Sequence, residues 1–214
     1  MWVWRCFWQY TFSHSSPRKD GPGVAPACRK KGTLMSAVLA IKHKGRVWMA
    51  ADSGVSREDS IEAFEAGSKI IKCGPLTIGY VGPVQGINTL RYRYVPPKKK
   101  TGETDDHYIY DSIWNSMGKK LVNDGVAIKT EDIIVPDVTL LFVYKGRLFE
   151  TDSAFAFYER KRYAAIGTGC EYASALIEQI SDDEKDIKGA LTDIMEKIIE
   201  KHNFVCKPIK IVRI

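Results

Sequence analysis

The stretch that decides the fold is SAVLAIKHKGRVWMAADS at 36–53. An apolar run at 37–41 is followed by Lys-His-Lys-Gly and by a second apolar run that ends at Asp52. Two apolar runs joined by a short polar turn with glycine predict a β-hairpin. SKIIKCGPLTIGYVG at 68–82 repeats the plan, with strands predicted at 69–72 and 76–81 around a Cys-Gly-Pro turn. Two adjacent hairpins imply an antiparallel sheet.

The remaining segments predict helices and strands in alternating blocks. Helices are expected at 84–94 and 109–124, separated by the proline- and lysine-rich loop VPPKKKTGETDD. Four short strands follow, in VTLLFVYKG, RLFETD, FAFYER and RYAAIG, and then helices at 170–181 and 185–201 and a final strand in PIKIVRI. This order predicts an α+β fold in which two antiparallel sheets pack together and helices cover their outer faces.

Composition indicates one globular domain and argues against several classes of protein. The chain has 214 residues, 44% of them hydrophobic and 27% charged, enough for one buried core. Its apolar stretches are shorter than the ~20 residues of a membrane span, and the opening MWVWRCFWQYTF lacks the pattern of a secretory signal. The five cysteines have no zinc-site spacing. We therefore expect free thiols, no metal, no membrane and a cytoplasmic location.

Residues 1–35 differ from the rest of the chain. They hold six basic residues against one acidic residue, so that +5 of the formal net charge of +6 lies there, and we expect no fold for them. They are either a propeptide or the product of a wrongly chosen start codon, because Arg-Lys-Lys-Gly before Met35 could be a translated ribosome-binding sequence. A nucleic-acid- or lipid-binding arm is less favoured, because its basic and aromatic residues do not alternate. The remaining chain is almost neutral, and no nucleic-acid partner is expected.

Several segments together resemble a known family. SAVLAIKHKGRVWMAADS, SKIIK, TIGYVG and YAAIGTGCEYASAL are similar, in order and spacing, to landmarks of proteasome β-subunits and bacterial HslV-type peptidases. These proteins belong to the N-terminal-nucleophile hydrolase superfamily. The resemblance covers 36–214 and implies one domain there, with a four-layer αββα sandwich and no cofactor.

The family's chemistry requires a particular first residue. An N-terminal Thr, Ser or Cys uses its side chain as nucleophile and its own α-amino group as base. That amine titrates near ~8, close enough to neutral pH to accept the hydroxyl proton. A nearby lysine, oriented by an aspartate, adds positive charge that lowers the hydroxyl pKa.

The resemblance places the nucleophile at Ser36, the aspartate at Asp52 and the lysine at Lys69. Translation from Met35 would expose Ser36, because methionine aminopeptidase removes an initiator methionine before a small residue. The rival nucleophile is Thr33, since Gly-Thr at 32–33 mimics the junction at which proteasome subunits cleave themselves. Its register is poorer, because three extra residues would precede the hairpin. Read alone, Asp52 could be a turn-capping residue and Lys69 a solvated edge residue.

The resemblance assigns two further catalytic positions. Gly82 corresponds to the glycine whose backbone N–H helps form the oxyanion hole. Thr168, within Gly-Thr-Gly at 167–169, replaces a serine whose hydroxyl lies near the nucleophile's amine. An ordinary helix N-cap is an equally good interpretation of Thr168.

Three residues are expected to bind substrate. Val55 and Ser56 correspond to positions where the substrate backbone pairs as an added strand. Tyr80 would line the pocket for the residue before the scissile bond, with a core tyrosine as the alternative.

The chain also departs from the family pattern. Serine replaces the usual threonine, which removes the methyl group that restricts the hydroxyl rotamer. Asn203 and Cys206 lie where proteasome subunits often carry an Asp and a Ser beside the nucleophile, and we assign them no role.

Three functions are compatible with these features. The first is a peptidase that acts on peptides or unfolded proteins inside a homo-oligomeric ring, fed by an ATP-dependent unfoldase. The second is an amidase or acylase acting on a small amide, which the serine favours. The third is a catalytically silent ring subunit, which applies if 1–35 are retained, because a blocked Ser36 has no free amine.

Overall fold

A computed structural model describes residues 36–57, 60–63, 68–130, 133–152, 154–203 and 205–214. The extension predicted at 1–35, and with it Thr33, lies outside these residues. The strands are β1 (Ala37–His43), β2 (Arg46–Ala51), β3 (Gly54–Arg57), β4 (Ser60–Ala63), β5 (Ile70–Cys73), β6 (Leu76–Val81), β7 (Ala127–Thr130), β8 (Ile133–Pro136), β9 (Thr139–Tyr144), β10 (Arg147–Thr151), β11 (Phe157–Arg160), β12 (Tyr163–Gly167) and β13 (Lys210–Arg213). The α-helices are α1 (Val84–Asn88), α2 (Asp105–His107), α3 (Trp114–Asn123), α4 (Cys170–Glu178) and α5 (Ile187–Lys201).

Two antiparallel sheets form the centre of the molecule. One has the strand order β12-β1-β2-β13 and the other β11-β10-β9-β6-β5. The predicted hairpins β1–β2 and β5–β6 are both present, with Val38 opposite Ala51 and Ile70 opposite Gly79. Apolar side chains of the two sheets meet in a shared inner core that includes Val38, Met49 and Leu141. On each strand, the apolar side chains that face the other sheet are buried between the two sheets and hold them together.

Helices cover both outer faces of this sandwich. Helices α4 and α5 pack on the first sheet around Leu39, Ile177 and Leu191. Helices α1 and α3, with the helical turns near them, cover the second sheet around Phe142 and Met117. The layers are therefore helix, sheet, sheet, helix, and the predicted α+β sandwich is confirmed.

Several local predictions were wrong. The segment after Asp52, in which no hairpin was predicted, contains the hairpin β3–β4, and a second unpredicted hairpin is β7–β8. The helix predicted at 84–94 is α-helical only through α1 and continues as π-helical turns over Thr89–Arg93. The helix predicted at 109–124 likewise begins with α2 and the π-helical turns Tyr108–Ile113 before α3. Pairing and packing across the molecule decide such segments more strongly than local composition does.

No helix in the described part of the chain is long and apolar enough to cross a membrane. Within the same residues, no group of three or more His, Cys, Asp or Glu side chains is arranged to hold a metal ion.

Candidate active site

Asp52 is the centre of a buried polar cluster at the end of β2. Its side chain has no exposed surface. One carboxylate oxygen accepts a hydrogen bond from the Ala37 N–H at 2.9 Å and the other accepts one from the Gly54 N–H at 2.8 Å. Both oxygens also lie 2.8 Å from the Lys69 Nζ. A buried carboxylate needs such partners, and here one side chain ties together the start of β1, the turn after β2 and the residue before β5.

Lys69 provides a buried positive charge beside Asp52. It is 6% exposed and lies immediately before β5. Burial lowers the pKa of Lys69 below its ordinary value, and the ion pair and hydrogen bonds with Asp52 oppose that shift. The interpretation of Lys69 as a solvated edge residue is therefore wrong. The two residues form an ion pair with a short contact inside the protein.

Ser36 lies beside this pair, and two hydrogen bonds hold the peptide group that joins it to Ala37. It is 7% exposed and directly precedes β1. Its carbonyl oxygen accepts a hydrogen bond from the Thr168 N–H at 2.7 Å. The next N–H along the chain, that of Ala37, donates to the same Asp52 oxygen that Lys69 contacts. These hydrogen bonds bring Ser36, Asp52, Lys69 and the backbone of Thr168 together.

Gly167 allows the close approach of β12 to Ser36. Its φ is +87°, in the left-handed region. A Cβ built at this position would lie 1.9 Å from the Ser36 carbonyl oxygen and 3.1 Å from the Val81 Cγ2. Only glycine fits such a position. Thr168 follows, but the residue that precedes α4 as its N-cap is Gly169, so Thr168 is not the ordinary N-cap that we considered.

Gly82 lies directly after β6. Its φ is +147°, and a Cβ there would lie 2.7 Å from the Asp137 carbonyl oxygen. The preceding residue, Val81, has its Cγ2 3.1 Å from the position that a Cβ on Gly167 would occupy. The local backbone excludes a side chain at this position.

Val55 and Ser56 lie on β3, which starts two residues after Asp52. Val55 is partly buried, and its partner in β4 is Glu62. Among the strands that the structure describes, β3 pairs with β4 alone. The side chain of Ser56 lies outside the described part of the structure.

Tyr80 does not line a substrate pocket. It is 2% exposed, and its ring belongs to the outer core between the second sheet and the helices. Its hydroxyl donates a hydrogen bond to the Pro83 carbonyl oxygen at 2.5 Å. Burial raises the pKa of Tyr80 well above its ordinary value. The position assigned by the resemblance does not reveal which face of β6 the side chain occupies, and the alternative of a core tyrosine is the correct one.

One buried side chain in this region, that of Ser53, was not identified from the sequence. It is 5% exposed, its N–H donates to the Cys206 carbonyl at 3.2 Å, and its Oγ donates to the Pro208 carbonyl at 2.6 Å. Burial and the nearby Asp52 raise the pKa of the Cys206 thiol, which keeps that thiol neutral. Asn203 is exposed. From the sequence alone, a serine after a strand is interpreted as a residue that caps a turn. Ser53 could have been identified only if the position of the C-terminal segment beside it had been known.

Comparison with known proteins places the fold. The chain matches no protein-family description and none of the curated proteins. Among solved structures, it is similar to Thiobacillus denitrificans BPH, with a TM-score of 0.66, 16% identity, 83% of this chain and 97% of that chain covered. BPH has also been solved in complex with epoxomicin.

Two other structures show the same similarity. Eukaryotic HslV from Trypanosoma brucei has a TM-score of 0.59 at 15% identity, over 83% of this chain and 98% of that chain. Anbu, an ancestral beta-subunit, from Yersinia bercovieri has a TM-score of 0.60 at 16% identity, over 83% and 80%. The chain shares the fold of these proteins.

Proposed function

We propose that this chain is an N-terminal-nucleophile peptidase in which Ser36, as the first residue of the active form, is the nucleophile. The observation that carries the proposal is the buried Asp52–Lys69 pair, which is hydrogen-bonded to the backbone of the residue next to Ser36. A buried ion pair is costly to maintain, and such pairs are frequent in active sites. The fold shared with HslV and Anbu supports the same class of activity.

The first half of the reaction forms an acyl-enzyme. The Ser36 α-amine takes the hydroxyl proton while Oγ attacks the scissile carbonyl carbon, and the Lys69 ammonium stabilises the developing alkoxide charge. The Gly82 N–H donates to the oxyanion of the tetrahedral intermediate. The Ser36 ammonium then gives its proton to the leaving amine, the C–N bond breaks, and an ester on Ser36 Oγ remains.

The second half hydrolyses that ester. The free α-amine takes a proton from water, and the water oxygen attacks the ester carbonyl. The intermediate collapses to a carboxylic acid and returns the proton to Ser36 Oγ. Asp52 has a positioning role in both halves, because its four hydrogen bonds hold Lys69 and the start of β1 in place.

The mechanism requires a free amine on Ser36. A peptide bond to Met35 converts that nitrogen to an amide, which cannot accept the hydroxyl proton. Residues 1–35 must therefore be absent from the active form, either because translation starts at Met35 or because they are removed.

A peptide is the substrate that the surroundings of the site favour. Strand β3 begins two residues after Asp52 and pairs on one side only among the described strands, so an extended peptide can add along Val55 and Ser56. A small amide would not use this edge.

We further propose that the enzyme acts inside a homo-oligomeric ring supplied by an ATP-dependent unfoldase. Sharing a fold with HslV and with Anbu, described as a beta-subunit, supports assembly. Light scattering coupled to size-exclusion chromatography of protein beginning at Ser36 should give a mass several times that of one chain. A monomer would contradict the ring.

Hydrolysis of fluorogenic peptide amides and casein tests the activity. Protein that begins at Ser36 should be active, Ser36→Ala should lose activity about 100-fold or more, and Ser36→Thr should retain it because threonine keeps the hydroxyl. Protein that begins at Met1 and stays uncleaved should be inactive.

Three results would contradict parts of the proposal. Equal rates for Ser36→Ala and wild type would remove Ser36 as nucleophile. Loss of processing and activity in Thr33→Ala, expressed from Met1, would favour Thr33 instead. Turnover of small amides without turnover of peptides would favour the amidase or acylase function.

A further inference from the structure

The turn that carries Asp52 has two sides. On one side, Asp52 bonds to the backbone of Ala37 and to Lys69. On the other side, Ser53 faces the C-terminal segment, where its N–H and its Oγ donate to the carbonyl oxygens of Cys206 and Pro208. The turn is thus held by hydrogen bonds to the catalytic cluster on one side and to Cys206 and Pro208 on the other.

The C-terminal segment is itself fixed to the first sheet. Strand β13 pairs with β2, with Lys210 opposite Ala51, the residue before Asp52. Its end is closed by hydrogen bonds between Ile214 and Val47 in both directions. The Cys206 and Pro208 carbonyl groups, which accept the hydrogen bonds of Ser53, therefore belong to a segment that β13 anchors to the sheet.

Ser53 has no hydroxyl proton left to donate to a substrate. It is 5% exposed, and its hydroxyl proton is donated to Pro208 at 2.6 Å. A buried hydroxyl used in this way fixes the position of its own backbone. Ser53 is directly joined to Asp52, so a change in the position of its backbone reaches the Asp52 carboxylate.

We propose that Ser53 is a positioning residue, which transmits the anchoring of the C-terminal segment 206–208 to the Asp52–Lys69 pair. The proposal rests on the peptidase function given above. Without the Ser53 hydroxyl, the turn loses its side-chain bond to Pro208, and the Asp52 carboxylate is free to shift away from the position that orients Lys69 beside Ser36. A small displacement of a catalytic group reduces turnover much more than substrate binding.

Steady-state kinetics of Ser53→Ala and Ser53→Thr, in protein beginning at Ser36, test this role. Ser53→Ala should lower kcat roughly tenfold and leave KM within about twofold, whereas Ser53→Thr should return kcat to within about threefold of wild type because it restores the donor. Thr192→Ala is the matched control, since the Thr192 hydroxyl also donates to a backbone carbonyl, that of Lys188, but on the outer helix α5. Its kcat should equal that of wild type.

Hydrogen exchange provides a readout that does not depend on activity. Ser53→Ala should accelerate amide exchange in peptides covering 52–54 and 205–210, and Thr192→Ala should not. A wild-type kcat in Ser53→Ala, or an equal loss in Ser53→Thr, would overturn the positioning role. Failure of the proposed function would show differently, as absence of Ser36-dependent hydrolysis in the protein without any Ser53 substitution.

Discussion

Asp52 and Lys69 are the residues that the sequence most clearly predicted to lie together. Each had an ordinary alternative, and the order of the family-like segments favoured the catalytic one. The structure joins their side chains at 2.8 Å and buries both. Ser53 could not be found in this way, because its partners are carbonyl groups more than 150 positions away and no side-chain pattern records them. Tyr80 was misplaced because the resemblance gave its position along the chain without showing that its side chain faces the outer core.

The low pKa of Lys69 leads to a prediction about pH. The mechanism needs a neutral α-amine, which gives an acid limb near about 8, and a charged Lys69, which gives an alkaline limb below the ordinary lysine value of 10.5. The residual kcat of Lys69→Arg should lose the alkaline limb, because arginine stays protonated there. Lys72→Ala, at an exposed position of β5, the strand that follows Lys69, should keep it. An unchanged alkaline limb in Lys69→Arg would refute the assignment.

The same shift affects stability. Because the folded-state pKa of Lys69 is lowered, the unfolded chain binds this proton more tightly than the folded protein does. Below the folded-state pKa of Lys69, its buried charge therefore lowers the free energy of unfolding, which makes the folded protein less stable. This destabilisation decreases as pH rises from that pKa toward 10.5, so the free energy of unfolding increases over that range.

Among the elements, strands β1, β2, β6 and β12 bring the site together. Their apolar runs made them predictable, and their ends carry Ser36, Asp52, Gly82 and the Gly-Thr-Gly at 167–169. The hairpins β3–β4 and β7–β8 were not predictable. The sequence SIEA of β4 is only four residues long and contains Glu and Ala, which are uncommon in strands, and charges and a proline obscure the apolar residues around β8. Their strands form through cross-strand pairing.

The contact between β12 and Ser36 can be tested with Gly167→Ala. The substitution places a Cβ in a left-handed backbone and against the Ser36 carbonyl, so the free energy of unfolding should fall by about 2 kcal/mol or more and activity should fall with it. Gly146→Ala is the matched control, because Gly146 has a φ of +74° but open space around its Cβ. It should cost only about 1 kcal/mol and leave activity intact. Urea unfolding and peptide hydrolysis measure both effects, and equal losses in the two variants would contradict the contact.

At the scale of the whole molecule, the α+β sandwich followed from the order of strands and helices, and similar solved structures share it. The described domain places Ser36 at the start of its first strand, next to the buried ion pair. This position gives the domain a chemically useful first residue only when the chain begins there. Whether the α-amine of Ser36 is free is therefore the property on which the proposed peptidase depends.

Covalent labelling by a peptide epoxyketone tests this property most directly. The Ser36 hydroxyl adds to the ketone carbon and the α-amine opens the epoxide, so the product retains every atom of the reagent and has two bonds to one residue. Mass spectrometry of the digested protein should find the full reagent mass on the peptide that begins at Ser36, and no label in Ser36→Ala or in protein that retains Met35. An unlabelled Ser36, or equal labelling when Met35 is retained, would contradict catalysis by a free N-terminal serine.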